Sequence, residues 1–467
     1  YKELDEVVLT DRSLEFAIWS FSPGTEVIKD KRIFTAGAFA HLYPLGGRLE
    51  YDKDPLGPEY RLSRCCNVDC NTLFARVIEY CEICKSECDP LIFYQPKGFK
   101  TIDDGFDYER NRHRPAKPPK PELIFDEAPE NEREVGVARI VFEQEKKIVL
   151  VNNNRGEGFE FRQKRYGEVV RPEFIVSDPS LYNPQRSWKH LESGSIPGPY
   201  HRGAIGAQYS SDILSVMFFD PEKRVGFEGY LDAEQYSTRA ALVSFGEFFK
   251  MAAASKLDVV PSEFTTGLQQ RAVADLDCRT MRLFVSDSLE NGSGLTKIVS
   301  EEKRFLEAID EHLRSVNWSS ELHSASCDNS CANCLRTYHN MTNHHLLDWR
   351  LALDVAELIL GKGLNHQRWS DEAVSLAKAF TKNMNEKQED INLSYKILSN
   401  GYPVIWDIGT LNAQIISHPL WHQSKLSDSQ QNMIYECEDI APNIKVDFSD
   451  IRKFRAKPFE MEYFFYQ

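Results

Sequence analysis

Three cysteines fall within eight residues in the stretch Cys327-Asp-Asn-Ser-Cys331-Ala-Asn-Cys334-Leu-Arg-Thr-Tyr338-His-Asn340, which runs on into His344-His-Leu-Leu-Asp348-Trp349-Arg350. Thiols that close converge on one point only where something holds them. Zn²⁺ is the default holder, because thiolate is its preferred soft ligand and a tight turn can offer several sulfurs tetrahedrally. From Leu346 to Leu360 apolar residues recur at helical spacing (Leu346, Leu347, Leu351, Leu353, Val355, Leu358, Ile359), which places the metal at the mouth of a helix. Three sulfurs leave a fourth position open. His344, ten residues beyond Cys334 and near the expected helix start, is the expected fourth ligand, with His323 and Cys278 as alternatives. Three thiolates donate strongly and make a poor Lewis acid, so a closed structural site is expected rather than one that activates water.

A second cluster lies upstream: Cys65-Cys66-x3-Cys70-x10-Cys81-x2-Cys84, with Cys88 beyond it. Two knuckles of two thiolates each, brought together by a short hairpin, make a small zinc ribbon. Cys65 and Cys66 are not both ligands of one four-coordinate site with Cys70, Cys81 and Cys84. The tighter spacing to Cys70 selects Cys66, giving Cys66, Cys70, Cys81 and Cys84 as the expected set. Of the eleven cysteines, only Cys278 and Cys437 stand outside the two clusters. A disulfide-stapled secreted protein spreads its cysteines through a shorter chain, so clustering in 467 residues points to metal binding in a reducing cytoplasm.

The net charge of −15 excludes a surface coated for nucleic acid but leaves room for a local basic groove. No apolar run is long enough to span a bilayer, so no membrane partner is expected. The chain begins with Tyr1 rather than Met, which marks it as a candidate fragment.

Along the chain a short helix at Ser13–Trp19 precedes a hairpin with strands at 26–28 and 32–35. The prolines and charges of 96–122, including Arg112, Arg114, Lys117 and Lys120, read as an exposed connector. Strands are expected at 135–142, 147–151, 159–161, 173–176 and 213–219, with a Gly/Pro/Ser loop around 183–203. The period then changes to helix at Ser237–Ala254. A strand at 282–285 leads through the turn Asn291-Gly-Ser-Gly294 to a helix over 298–316. After about 370 come another helix, a strand pair at 404–406 and 413–417, and an acidic, aromatic tail. The expected fold class is mixed α+β, in five segments: a β/α segment (1–60), zinc ribbon and connector (61–125), a β-rich domain (126–235), an α/β zinc-binding domain (236–370) and a C-terminal helix and β tail (371–467).

Asp287-Ser-Leu-Glu290-Asn-Gly292-Ser-Gly294 lacks the Gly-Lys-Ser/Thr ending of a P-loop. It reads equally as a strand-to-helix turn and as helix N-terminal amides contacting a DNA phosphate. Glu263 and Asp287 suggest a metal-dependent nuclease pair, but no Glu-x-Lys partner follows. Arg336 and Tyr338, with Arg112 and Arg114 of the connector, are the expected DNA contacts, whereas Trp349 sits among apolar residues and reads as core.

These residues resemble a known family. Cys327 to Ala352, with Leu257-Asp-Val-Val-Pro-Ser-Glu263 and Asp287 to Gly294, is similar to the zinc-binding C-terminal domain behind many bacterial DEAD/DEAH-box helicase motors, first catalogued as a domain of unknown function. MrfA-like repair helicases and the large helicase of Druantia phage-defence systems carry it, and DrmB of DISARM is a more distant relative. Outside that domain, Leu14 to Val27, Gln95-Pro96-Lys-Gly98-Phe99, His201 to Gly206 with Ser211 to Leu214, and Ser417-His418-Pro419-Leu420-Trp421 fit the same layout. Many relatives carry a further cysteine pair near Phe159–Gly167, where this chain has none, so no zinc site is carried over there. No Walker A or Asp-Glu-x-His/Asp box is present either, so ATP and Mg²⁺ are expected only through a motor not in this chain.

The resemblance implies a non-motor, strand-guiding part of a superfamily-two helicase machine in defence or repair. Its implied partners are DNA, the motor in the same or a separate polypeptide, and other defence-system subunits. A metal-dependent nuclease and a protein-interaction scaffold are the alternatives.

Overall fold

In a computed structural model, the protein is described over residues 12–465 apart from 46–47, 68–69, 102–105, 108–119, 125–131, 167–168, 177–199, 219–235, 274–277, 316–317, 319–322, 324–325, 388–391, 408 and 423–425. Helices and strands are both abundant, as a mixed α+β chain requires. The chain divides into two compact units. The first comprises Tyr1–Glu127, Glu145–Ser211 and Tyr338–Thr342; the second comprises Ala128–Gln144, Asp212–Thr337 and Asn343–Gln467.

The first unit is built on a sheet ordered Glu26–Lys29, Arg32–Phe39, Val169–Val176, Phe159–Tyr166, Tyr200–Phe218 (here through its residues 200–211), Cys88–Tyr94, Glu59–Cys65 and Leu73–Phe74. All neighbours are antiparallel except Ala204 and Ile205, which run parallel to Phe93 and Tyr94. The opening hairpin turns through Asp30 and Lys31, both at positive φ (48° and 61°), the backbone a tight two-residue hairpin demands. Phe39, Tyr94, Phe159, Phe161 and Ile205 form one small core. The segment 200–203, expected as loop, is strand, pairing through Gly203 with Phe159 and through His201 with Phe161. The strands expected at 135–142 and 147–151 are one strand, Ala138–Asn152, with Glu145 at φ 51° where a break was expected.

The second unit is centred on the helix Tyr236–Leu257. Ala240, Ala241, Phe245, Phe248, Phe249, Ala252, Ala253 and Ala254 are all buried on it, as in a helix packed on several sides. Against it lie the helices Glu302–Ser315 and Trp349–Ile359 and the strand pair Phe264–Val273 and Cys278–Asp287. Residues 213–217 of the long strand add to Cys278–Asp287 antiparallel. The helix expected over 298–316 is two, Leu295–Val299 and Glu302–Ser315.

The strand pair expected at 404–406 and 413–417 is present as Pro403–Asp407 and Asn412–Ser417, which Leu393–Ile397 extends to an antiparallel meander. In the acidic, aromatic tail beyond it Lys445–Asp450 joins parallel to Asn412–Ser417 after the crossover helix Asp428–Glu438. Ser427 and Gln430 close a capping box at that helix's start, satisfying amides that would otherwise be orphaned.

His312, on Glu302–Ser315, packs its ring edge-on to Phe248 (5.0 Å) and Trp318 (5.8 Å). Burial lowers its pKa from 6.5 to about 4. The unfolded chain therefore binds the proton first. The stability this group contributes is complete above pH 6.5 and is lost as the pH falls towards 4. The unfolding free energy from denaturant titrations followed by tryptophan fluorescence should drop for the wild type between pH 7 and pH 4 by about 3 kcal/mol more than for His312→Phe. Equal slopes for the two proteins would refute the assignment.

Candidate metal centres

The ribbon's four convergent sulfurs are Cys65, Cys70, Cys81 and Cys84, all within 4.8 Å of one another. Cys65 Sγ lies 3.4 Å from Cys84 Sγ, and Cys70 Sγ 3.7 Å from Cys81 Sγ. A Zn–S bond of about 2.3 Å puts sulfurs at tetrahedral corners roughly 3.8 Å apart, so the spacing fits zinc. Each knuckle is shaped by its backbone. Asn71 and Lys85 take positive φ (44° and 62°), with Asn71 N–H bonded to Asn67 O (2.8 Å) and Lys85 N–H to Cys81 O (3.0 Å).

The fourth sulfur expected in this set was Cys66; the structure brings in Cys65 instead. Cys65 is the last residue of Glu59–Cys65 and points inward, 2% exposed, while Cys66 is turned to solvent. Successive side chains along a strand alternate sides, so the pleat overrides the tighter spacing to Cys70.

The other group is His323, Cys327, Cys331 and Cys334, again within 4.8 Å of one another. Cys327 Sγ is 3.8 Å from Cys334 Sγ, and Cys331 N–H donates to Cys334 Sγ (3.0 Å). His323, not the expected His344, is the imidazole of this group. Its Nδ1 bonds to the Trp318 carbonyl (2.9 Å), and since a carbonyl only accepts, Nδ1 carries the proton and Nε2 the lone pair. A ring tethered by one nitrogen so that the other faces a metal is the usual arrangement of a ligating histidine. His344 instead directs Nε2 at the Thr337 carbonyl (3.0 Å). The cue present in the sequence was His323 four residues before Cys327, a spacing that brings both to one face of a turn. Cys278 opens the strand Cys278–Asp287, and its side chain lies outside the described residues.

Crowding so many sulfurs makes ionising all of them unfavourable. Burial pushes the Cys70 thiol up to about 11 and raises Cys65, which Cys84 raises further. Burial opposes ionisation of Cys84 too, but the Ser86 hydroxyl and amide bring it down to about 6. Burial, then Cys334, likewise raises Cys327. A dication at the centre supplies the opposite charge these groups lack, and binding it displaces their protons. Both groups are compatible with structural zinc.

The Cys327 loop is also held from below. Asp348 caps the helix Trp349–Ile359. Trp349 N–H bonds to Asn329 O (2.8 Å) and its indole N–H to Cys327 O (3.1 Å). Arg350 reaches Asp328 O (2.7 Å) and pairs with Glu372, which also holds Arg455 (2.9 Å); Arg455 returns to Asn329 (2.6 Å). Trp349 is therefore core, 6% exposed, as its neighbours implied.

The glycine loop is closed from within. The Asp287 carboxylate accepts N–H bonds from Ser293 (2.7 Å), Gly294 (2.7 Å), Leu295 (3.2 Å) and Thr296 (2.8 Å). Gly292 and Gly294, at φ 79° and 80°, wrap the chain back onto it. The amides that a phosphate would use are taken, and Asp287 is fully buried with both carboxylate oxygens engaged by them. Tyr338 is 56% exposed, its ring 6.0 Å from that of Trp19, and Arg336 is exposed with Nε bonded to Ser330 Oγ (2.9 Å). Arg112 and Arg114 lie outside the described residues. Among the described residues, no helix is long and apolar enough to cross a membrane.

No protein-family model matches this chain. Over 241 residues, 48% of its length, it is 25% identical to the Druantia protein DruE of Escherichia coli (strain UMEA 4076-1), and the match covers 12% of that protein. The crystal structure of the DUF1998 helicase MrfA bound to DNA aligns with 51% of this chain and 24% of its own, at 9% identity and a TM-score of 0.28, too loose to establish a common fold.

Elemental analysis of the purified chain should find two zinc ions. Cys65→Ser and His323→Ala should each lose about one, whereas Cys66→Ser and His344→Ala should keep both. Retention of both ions in Cys65→Ser would return the ligand role to Cys66.

Proposed function

We propose that this chain is the non-motor, DNA-guiding part of a superfamily-two helicase or translocase machine, acting in bacterial antiphage defence or DNA repair. The observation that carries the reading is the 241-residue similarity to a Druantia protein, which spans 48% of this chain. It is supported by the resemblance of the Cys327–Ala352 and Asp287–Gly294 motifs to the zinc-binding domain behind helicase motors. On this reading zinc at the two sulfur groups holds the ribbon and the Cys327 loop rigid. ATP hydrolysis belongs to a motor elsewhere in the same protein or complex, and exposed Tyr338 and Arg336, with Arg112 and Arg114, contact the DNA. Tyr338 offers a ring face on which a base can stack, and the arginines offer charge to phosphate. A nuclease reading is disfavoured, because four backbone amides already occupy the carboxylate it would need at Asp287.

Fluorescence anisotropy with labelled single-stranded and duplex DNA tests this reading. Affinity should fall about tenfold or more between 50 and 200 mM salt, as expected for two or more phosphate contacts. Tyr338→Ala should weaken single-strand binding at all salt concentrations, and Arg336→Glu should reduce the salt slope. No binding at 50 mM salt would leave the scaffold alternative in its place.

A further inference from the structure

Two thiols, Cys66 and Cys88, lie beside the ribbon's sulfur group without belonging to it, and one of them stands directly opposite a member of that group. Cys65 and Cys88 are cross-strand partners on the antiparallel strands Glu59–Cys65 and Cys88–Tyr94. Their backbones exchange no hydrogen bond: Cys65 N–H goes outward to Thr72 O (3.0 Å) and Cys88 N–H outward to Glu79 O (2.8 Å). The bond linking the strands here comes one residue on, from Cys66 N–H to Glu87 O (3.0 Å). Cys65 and Cys88 are therefore a non-hydrogen-bonded pair, the closer of the two antiparallel kinds, with α-carbons about 4.5 Å apart and side chains on one face of the sheet. That separation falls inside the range a disulfide spans without backbone movement. Both residues are free thiols, Cys65 buried and Cys88 half-buried.

We propose that Cys65 and Cys88 form a peroxide-driven disulfide that withdraws one of the four sulfurs from the ribbon's metal group. Cys88 is the more accessible of the two, and burial holds its thiol up at about 11. It therefore attacks hydrogen peroxide as the small thiolate fraction, breaking the O–O bond to give Cys88 sulfenic acid, while the leaving hydroxide takes up the proton the thiol gave and departs as one water. The Cys65 sulfur then attacks the Cys88 sulfur; the S–S bond forms, and the sulfenic oxygen leaves with a proton as a second water. Two thiols lose two electrons, and one peroxide gains them. Cys70, Cys81 and Cys84 remain as three donors and hold a metal weakly. The ribbon's apolar cluster consists largely of cysteines, with Phe74 the one buried ring and Ile78 and Ile83 partly buried beside it, so at the knuckles little packing besides sulfur holds the chain.

The proposal rests on zinc occupying this group, and its test separates the two. The full chain is freed of reductant, its zinc measured, and hydrogen peroxide added while a chromogenic chelator reports released zinc and peptide mapping reports disulfides. One ribbon zinc should be released per Cys65–Cys88 disulfide, with thiol labelling of Cys327, Cys331 and Cys334 as internal reference. Cys88→Ser should hold both zinc ions before oxidation and release the ribbon's about tenfold more slowly than wild type, while Cys66→Ser should match wild type. Release at the wild-type rate from Cys88→Ser, a disulfide pairing Cys65 elsewhere, or loss of zinc from Cys88→Ser before peroxide would each overturn the proposal. Wild-type protein without zinc at the outset would instead overturn the metal reading on which it depends.

Discussion

Convergence of sulfur on a point is the constraint from which the rest of this molecule follows. In the ribbon the cluster that would ordinarily be an apolar core is made of Cys65, Cys70, Cys81 and Phe74, with Cys84 and Cys88 beside them. Knuckles this small bury too little hydrocarbon to offset the entropy of ordering their chain, and four convergent sulfurs are compatible with a zinc ion whose bonds would take the place of packing. The knuckle backbones, with Asn71 and Lys85 in the left-handed region, are the geometry such convergence imposes.

Around Cys327 the same requirement is met differently, because the loop is tied to a large core. Trp349 fills that core with its ring while its two N–H groups hold the loop's carbonyls, and Arg350, Glu372, Arg455 and Asn329 close a ring of polar contacts around it. Asp348, fully buried, has its carboxyl raised by burial even with Arg350 and Arg452 beside it. Buried charge is costly unless every partner is present, and a network of this kind specifies one arrangement rather than adding much stability. The helices Gln367–Lys387 and Ile451–Ala456 supply Glu372 and Arg455, so residues far along the chain complete the support of the Cys327 loop.

The glycine motif shows what a short signature does and does not convey. Asp287, Gly292 and Gly294 are legible as a motif, and both glycines take the positive φ their type permits. What the linear order hides is that the aspartate is the anion bound by the loop it introduces. That depends on Asp287 ending a strand and on Leu295 and Thr296 opening a short helix whose first amides point back at it.

Much of the scaffold was legible from period and punctuation alone: the mixed fold class, the central alanine-rich helix, the helix beyond Cys334, the opening hairpin and the two sulfur clusters. These are local properties, set by side-chain spacing and by which residues tolerate a turn. Four other features depended on distant parts of the chain: the choice of Cys65 over Cys66, the choice of His323 over His344, the merging of two expected strands into Ala138–Asn152, and the folding of the C-terminal tail. A cysteine's face is decided by the register of the strand that carries it, and a histidine's role by what its other nitrogen meets, here the Trp318 carbonyl. Residue type and spacing determined that metal-binding chemistry was available, and only tertiary structure decided which atoms converge on it, because convergence is a property of distances that the chain's order does not contain.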